Sequence, residues 1–245
     1  MEKLDILNDL RDDSKYYGDL GKKFLSNSDI EPLLNNPRDF KKDSPDNLNF
    51  AKGRYFHQLI LEPEKAKEFK FVSCSSRNTK LYKEFLVDND LTFALLDKEG
   101  DDIRSWVDVM MGNFEMYDNI KNPENKFEVP AIGTIHGKEW KGKADIVHPD
   151  CIIDLKTTGD ITQFKWSARK YNYDSQCYLY QQLFNKPLIF YVVDKNSKML
   201  GIYEPTPEFV SYGEEKVLRA IEIYDKFFGE NKTDNIDTFY YKEFL

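Results

Sequence analysis

Asp145-Ile-Val-His-Pro-Asp-Cys-Ile-Ile-Asp154-Leu-Lys156 is the stretch of this chain whose reading decides the fold. His148-Pro149-Asp150 reads as a turn, and Cys151 to Lys156 as a strand rich in apolar residues. Side chains alternate along a strand, so Asp154 and Lys156 share one face while Ile153 and Leu155 enter a core on the other. A preceding strand paired through so short a turn places Asp145 beside them. The pattern acidic-x-Lys alone means little, because it recurs at Asp13, Asp39, Glu68 and Glu139. Only the copy at Asp154 lies inside an apolar strand just after a hairpin turn. Charges on a mostly buried sheet survive when they are paired or bind a metal. An ordinary Asp–Lys pair at a strand end satisfies the first condition. Two carboxylates a few ångströms apart satisfy the second, as a hard oxygen site for Mg²⁺, which keeps several waters and takes phosphate oxygens as further ligands. Metal-bound water loses a proton more readily, and the ion stabilises charge developing on phosphorus. Lys156 would then orient or help deprotonate that water, or neutralise the phosphate. This is the chemistry of phosphodiester hydrolysis.

Working outward, Phe127 to Ile135 and Glu139 to Val147 read as strands around a turn at 136–138, which makes a three-strand meander with Cys151 to Lys156. Residues 161–184 read as helix bent near Tyr171-Asn172-Tyr173, followed by strands at 188–193 and 199–204 and an amphipathic helix over 207–228. Before the meander, residues 79–122 are mainly helical, with a turn near Lys98-Glu99-Gly100. Phe50 to Leu61 is a helix stopped by Glu62-Pro63-Glu64. Ser28-Asp29-Ile30 opens a short capped helix. The order helices, three strands, helix, two strands, helix predicts one α/β domain over 1–245. Residues 1–50 form an N-terminal extension packed on the core, 51–228 the core and its helices, and 229–245 a C-terminal tail.

The composition, with 40% apolar and 32% charged residues in 245, suits a globular protein. No apolar run approaches the ~18 residues a membrane span needs, and the acidic N-terminus lacks a signal-peptide pattern. Cys74, Cys151 and Cys177 are too scattered for a disulfide framework or zinc ribbon, so a reducing, cytoplasmic setting is expected. The net charge of −8 argues against a nucleic-acid partner, which usually leaves a basic footprint. A metal-dependent nuclease nevertheless concentrates carboxylates, and bound ions invert the local sign. Local basic clusters occur at Arg38, Lys41 and Lys42, at Lys138, Lys141 and Lys143, and at Lys165, Arg169 and Lys170, each of which also reads as a solvated face.

Four further residues join the set. His57 lies near the apolar face of its helix, where a core role and a ligand role are both open. Glu128, in the strand before Asp145, is a third carboxylate or an exposed strand residue. Gln176 and Tyr180, four apart on a helix, share a face and either hold a DNA backbone or brace the lysine.

Taken in order, these motifs resemble the exonuclease VIII (RecE-like) group of PD-(D/E)XK nucleases, related to the RecB nuclease domain and lambda exonuclease. The resemblance runs through Leu25-Ser26-Asn27-Ser28 with Asn36-Pro37, the Gly53-x-x-x-His57 helix, Gly142-Lys-Ala-Asp145, Ile152-Ile-Asp154-Leu-Lys156-Thr-Thr, and Gln176-x-x-x-Tyr180. It spans roughly residues 16–228. It implies a restriction-endonuclease-like α/β core, with a central mixed β-sheet flanked by helices. It also implies two divalent ions per site (Mg²⁺, with Mn²⁺ as substitute) and 5′ to 3′ degradation of linear duplex DNA in phage-type recombination. By the same resemblance His57, Asp145, Asp154 and the Leu155 carbonyl contact metal, and Asp145, Asp154 and Lys156 are catalytic. Glu128, Gln176 and Tyr180 support the site or the DNA. The implied partners are DNA, a single-strand annealing protein and a homo-oligomeric ring, with no membrane, in the host cytoplasm if phage-encoded. An endonuclease or RNA-processing nuclease on the same fold remains open, as does a non-catalytic nucleic-acid-binding or inhibitory protein.

Overall fold

In the computed structural model, residues 3–43 and 45–241 are described. The positions outside are 1–2 and 44 of the predicted N-terminal extension and 242–245 of the predicted tail. The chain begins with helices α1 (Lys3–Asp9), α2 (Asp13–Tyr17), α3 (Ile30–Asn35), α4 (Leu48–Leu61) and α5 (Pro63–Ala66). Strand β1 (Phe71–Val72), α6 (Lys80–Asp88), β2 (Leu95–Leu96), α7 (Asp97–Gly112) and α8 (Phe114–Ile120) follow. The meander is β3 (Lys126–Ile135), β4 (Lys138–Val147) and β5 (Ile152–Thr158). Then come α9 (Phe164–Lys170), α10 (Tyr173–Phe184), β6 (Leu188–Asp194), β7 (Leu200–Tyr203) and α11 (Pro207–Phe227). Among the described residues no helix is long and apolar enough to cross a membrane.

The helix that matters most for the site, α4, starts where the Asn47 side chain accepts the amides of Asn49 and Phe50, and ends before Pro63. The short helix expected at Ser28-Asp29-Ile30 begins at Ile30, after a 3-10 turn over Asn27–Asp29 in which Asp29 accepts both the Ser26 amide and its hydroxyl. One expectation needs correction. Lys98-Glu99-Gly100 is not a turn but the first turn of α7. Glu99 accepts the Leu96 amide at 2.9 Å, which caps the helix ahead of the glycine. The parallel pair β1–β2 is too short, at two residues each, for periodicity to reveal.

Five strands form one sheet in the order β3-β4-β5-β6-β7, with β5 and β6 parallel and the other neighbours antiparallel. The parallel step is spanned by α9 and α10. Alternation along β5 and β6 divides the interior into two cores. Ile152, Phe190 and Val192 pack with α10 and α11 on one face; Ile153, Leu155, Tyr191 and Val193 pack with α4 and α7 on the other.

Strand β4 pairs with β5 only at Ile146–Ile153 and Val147–Ile152, and beyond these the two strands part. The edge of β4 thereby released does not stay open at its far end. Leu25 sits against Trp140, donating its amide to the Glu139 carbonyl and accepting that of Lys141. The N-terminal segment so fills one end of the fork, and the other end carries the polar residues singled out above. On the opposite face α11 closes on α10 through Gly213, where a Cβ would lie 2.1 Å from the Asp174 carbonyl oxygen. Gly213→Ala is therefore expected to destabilise the fold by about 3 kcal/mol, as a lowered urea midpoint at unchanged slope.

Candidate active site

Where β4 and β5 diverge, the Leu155 amide has no strand partner on the β4 side. The Asp145 carboxylate takes it instead, accepting the bond at Oδ2 over 2.8 Å. Asp145 thus faces the cleft because the ladder has opened. Its pleat is irregular too: Ala144 belongs to the core under α10 and α11, Ile146 to the core under α4. Across on β3, Glu128 lies opposite Asp145 in the register set by Phe127–Ile146 and Val129–Ala144, with φ at 48°. That conformation is uncommon for a non-glycine residue and a strained one to hold inside a strand.

Helix α4 brings His57 in from one face. Its Nδ1 lies 2.8 Å from the Gly53 carbonyl, one turn back, and its Nε2 lies 3.0 Å from the Leu155 carbonyl and 3.2 Å from Asp145 Oδ2. All three partners accept hydrogen bonds, so the ring carries a proton on both nitrogens. Burial would lower the imidazole pKa, but the Asp145 carboxylate outweighs it and lifts it to about 9. Burial pushes Asp145 the other way, and His57 followed by Lys156 brings it below the usual carboxylate range.

From the opposite face comes α10. Gln176 donates to Asp154 Oδ1 at 2.5 Å, and Lys156 pairs with Asp154 Oδ2. Gln176 thus braces the carboxylate rather than the lysine. Burial and the Asp145 charge raise the Asp154 pKa in spite of Lys156, whose own is raised against burial by Asp154. Glu128, half-buried near Asp145, is pushed up to about 8, first by its desolvation and then by that charge. Tyr180 reaches β4 rather than the polar centre, its hydroxyl donating to the Lys143 carbonyl at 2.9 Å and accepting the Lys143 amide at 3.3 Å. Gly142 permits this approach, since a Cβ there would lie 3.0 Å from the Tyr180 ring. Tyr180→Phe should cost about 1–2 kcal/mol in urea unfolding, because it strips both Lys143 main-chain groups of this partner.

The structure therefore brings His57, Asp145, Asp154, the Leu155 carbonyl, Lys156 and Gln176 together, sets Glu128 opposite Asp145, and places Tyr180 behind them. Sequence reasoning missed Tyr173, whose ring centroid lies 4.7 Å from Lys156 Nζ, and the supporting carbonyl of Gly53. The i, i+4 spacing of Gly53 and His57 was the available signal for the second. For the first, Tyr173 sits beyond a bend whose geometry depends on Asn172 at positive φ.

A divalent ion fits this arrangement. Asp145 Oδ2 and the Leu155 carbonyl oxygen already converge on His57 Nε2, which ligates a metal only once it has given up its proton. Among the described residues the buried Asp154 Oδ2 has no hydrogen bond, and the Lys156 ammonium stands beside it as an ion pair without hydrogen-bond geometry. Among the described residues no three or more His, Cys, Asp or Glu side chains form a ready cage. Here one donor is a main-chain carbonyl, and Mg²⁺ binds through one or two carboxylates while keeping several waters.

Residues 23–233 match the family described as "PDDEXK-like domain of unknown function (DUF3799)". The fold resembles the crystal structure of a "Putative exonuclease" from Eubacterium rectale, with a TM-score of 0.63 and 16% identity over 87% of this chain and 86% of that one. A phage related exonuclease from Haemophilus somnus 129PT aligns over 83% of this chain and 94% of its own at 14% identity, with a TM-score of only 0.35. No curated protein sequence matches the chain.

Proposed function

The chain belongs to the family of PDDEXK-like domains, and from that premise we propose that it is a divalent-metal-dependent nuclease acting on the ends of linear DNA. The observation that carries the reading is the strand fork, where Asp145, the Leu155 carbonyl, His57, Asp154 and Lys156 meet at the only break in the pairing of β4 with β5 among the described residues.

In this reading Asp145, Asp154 and the Leu155 carbonyl hold Mg²⁺ or Mn²⁺, with His57 beside them. Once bound, the ion supplies an activated water and offsets charge developing on the phosphate. The chain's own groups do the rest. Donation from His57 Nδ1 to the Gly53 carbonyl fixes the ring so that Nε2 faces the site, as an orienting partner does for ligating histidines generally. Gln176 occupies Asp154 Oδ1 and leaves Oδ2 to the cleft. Lys156 stays cationic because Asp154 sustains its charge, which favours orienting water and balancing phosphate charge over abstracting a proton. Glu128 and Tyr180 hold the β4 side of the cleft in place.

Two ions per site, 5′ to 3′ polarity and a place in phage-type recombination beside an annealing protein complete the proposal, on the motif resemblance. So does ring assembly around the duplex. The test is a comparison of substrates in Mg²⁺. An exonuclease releases mononucleotides from an end-labelled linear duplex and spares a covalently closed circle. Cutting of the circle at comparable rate would replace the reading with an endonuclease on the same site.

A further inference from the structure

Three basic clusters stand out in the sequence, and the structure treats them differently. In the first, Lys41 pairs with Asp29 and Lys42 with Asp39, while Arg38 donates to main-chain carbonyls of residues 237 and 239. In the second, Lys138 pairs with Asp225, Lys143 with Asp13, and Lys141 is buried against the Tyr16 carbonyl. The third lies on α9. Residues 161–173 contain Lys165, Arg169 and Lys170 and no acidic residue, in a chain where more than one residue in six is acidic. Among the described residues no carboxylate pairs with Lys165 or Lys170.

Aromatic rings accompany these charges. Helix α9 buries Phe164 and Ala168 and leaves Trp166 71% exposed, while Tyr171 at its end is 59% exposed. The other tryptophans, Trp106 and Trp140, are 7% and 0% exposed. Trp166 and Lys170 are one turn apart and share a face. A series of contacts ties this face to the catalytic lysine. The Tyr173 ring lies 4.7 Å from Lys156 Nζ, the Tyr171 ring 6.2 Å from Tyr173, and Lys170 Nζ 5.8 Å from the Tyr171 ring. Tyr171 and Lys170 are thus continuous with the site, and Trp166 stands one helical turn from Lys170.

We propose that this face of α9 is the track for an unpaired DNA strand entering the site, with bases stacking on Tyr171 and Trp166 and phosphates meeting Lys170 and, on the flank of the helix, Lys165. It rests on the nuclease reading of the adjacent centre and adds the form of substrate presented there. Bases within a duplex show the grooves only their edges, so exposed rings on a helix surface meet the face of a base only when it is unpaired. Any base offers such a face, so the track carries little sequence preference. The −8 net charge is no obstacle, since the track's local charge is positive.

The test uses the full chain and oligo(dT), with Ca²⁺ in place of Mg²⁺ so that the strand is bound rather than cut. Because Trp166 is the exposed tryptophan, stacking reads out as quenching of intrinsic fluorescence on titration. Trp166→Phe should abolish most of the quenching while labelled oligo(dT), followed by anisotropy, still binds. Trp166→Ala with Tyr171→Ala should weaken oligo(dT) binding about 10-fold or more, with little effect on a blunt duplex and an unchanged melting temperature. Binding without quenching, or equal affinity for the doubly substituted and native chains, would overturn the track. Quenching needs no cleavage, so an inert chain that still quenches overturns only the nuclease reading. A chain that cuts DNA without quenching overturns only the track.

Discussion

Replacing Lys156 with alanine is expected to slow DNA cleavage by about 10³-fold while divalent-ion binding persists. The ammonium lies between the Asp154 carboxylate and the Tyr173 ring, and Asp154 keeps it charged where a phosphate would be attacked. The Asp145 carboxylate and the Leu155 carbonyl do not depend on it, so calorimetric titration with Mg²⁺ should still show binding. The substitution also deprives a buried carboxylate of the cation paired with it. Removing one partner of such a pair costs about 3–5 kcal/mol, softened here because Asp154, its pKa already raised by burial and by Asp145, can take up a proton. Cleavage should therefore be measured well below the variant's melting temperature. A folded variant that cuts at the native rate would remove Lys156 from the chemistry.

Asp145→Ala should have the larger combined effect, with Mg²⁺ binding lost by calorimetry and cleavage at background. Asp145 is both the carboxylate nearest His57 and the acceptor for the Leu155 amide at the strand fork. Alanine leaves a main-chain donor unsatisfied, for about 1–3 kcal/mol of stability. It also releases His57, whose pKa of about 9 depends on this carboxylate and should fall toward or below the ordinary imidazole range in an NMR titration. Asp145→Asn separates the two roles. Its amide oxygen can still accept the Leu155 bond, so stability should largely return while metal binding stays absent. Recovery of cleavage along with stability would mean that Asp145 acts only as a strut.

Much of this was legible in the sequence because it follows from periodicity. The turn at 148–150, with apolar alternation on either side, fixes a hairpin, and a period of two puts Asp154 and Lys156 on one side and Asp145 in reach. The bend at Tyr171-Asn172-Tyr173 was legible from its residues. What escaped depends on non-local backbone. Nothing in the local sequence announces that β4 and β5 part after two residue pairs, that Leu25 fills the released edge, or that Glu128 adopts a positive φ. The ambiguity over His57 had the same origin. An apolar helix face gives no sign of the partners that His57 meets, and only the fold brings the Leu155 carbonyl, 98 residues away, to its Nε2. Gln176 could be set on a face with Tyr180, but the two go to different targets, Asp154 and the Lys143 main chain, because α10 crosses the fork.

The claim that this fork is a divalent-metal nuclease centre is tested most directly by following an end-labelled linear duplex with the native chain in Mg²⁺, then adding a chelator midway. Release of label should be steady, stop on chelation and resume when excess Mg²⁺ is restored. Intact linear, nicked and single-stranded DNA after prolonged incubation in Mg²⁺ or Mn²⁺ would contradict it.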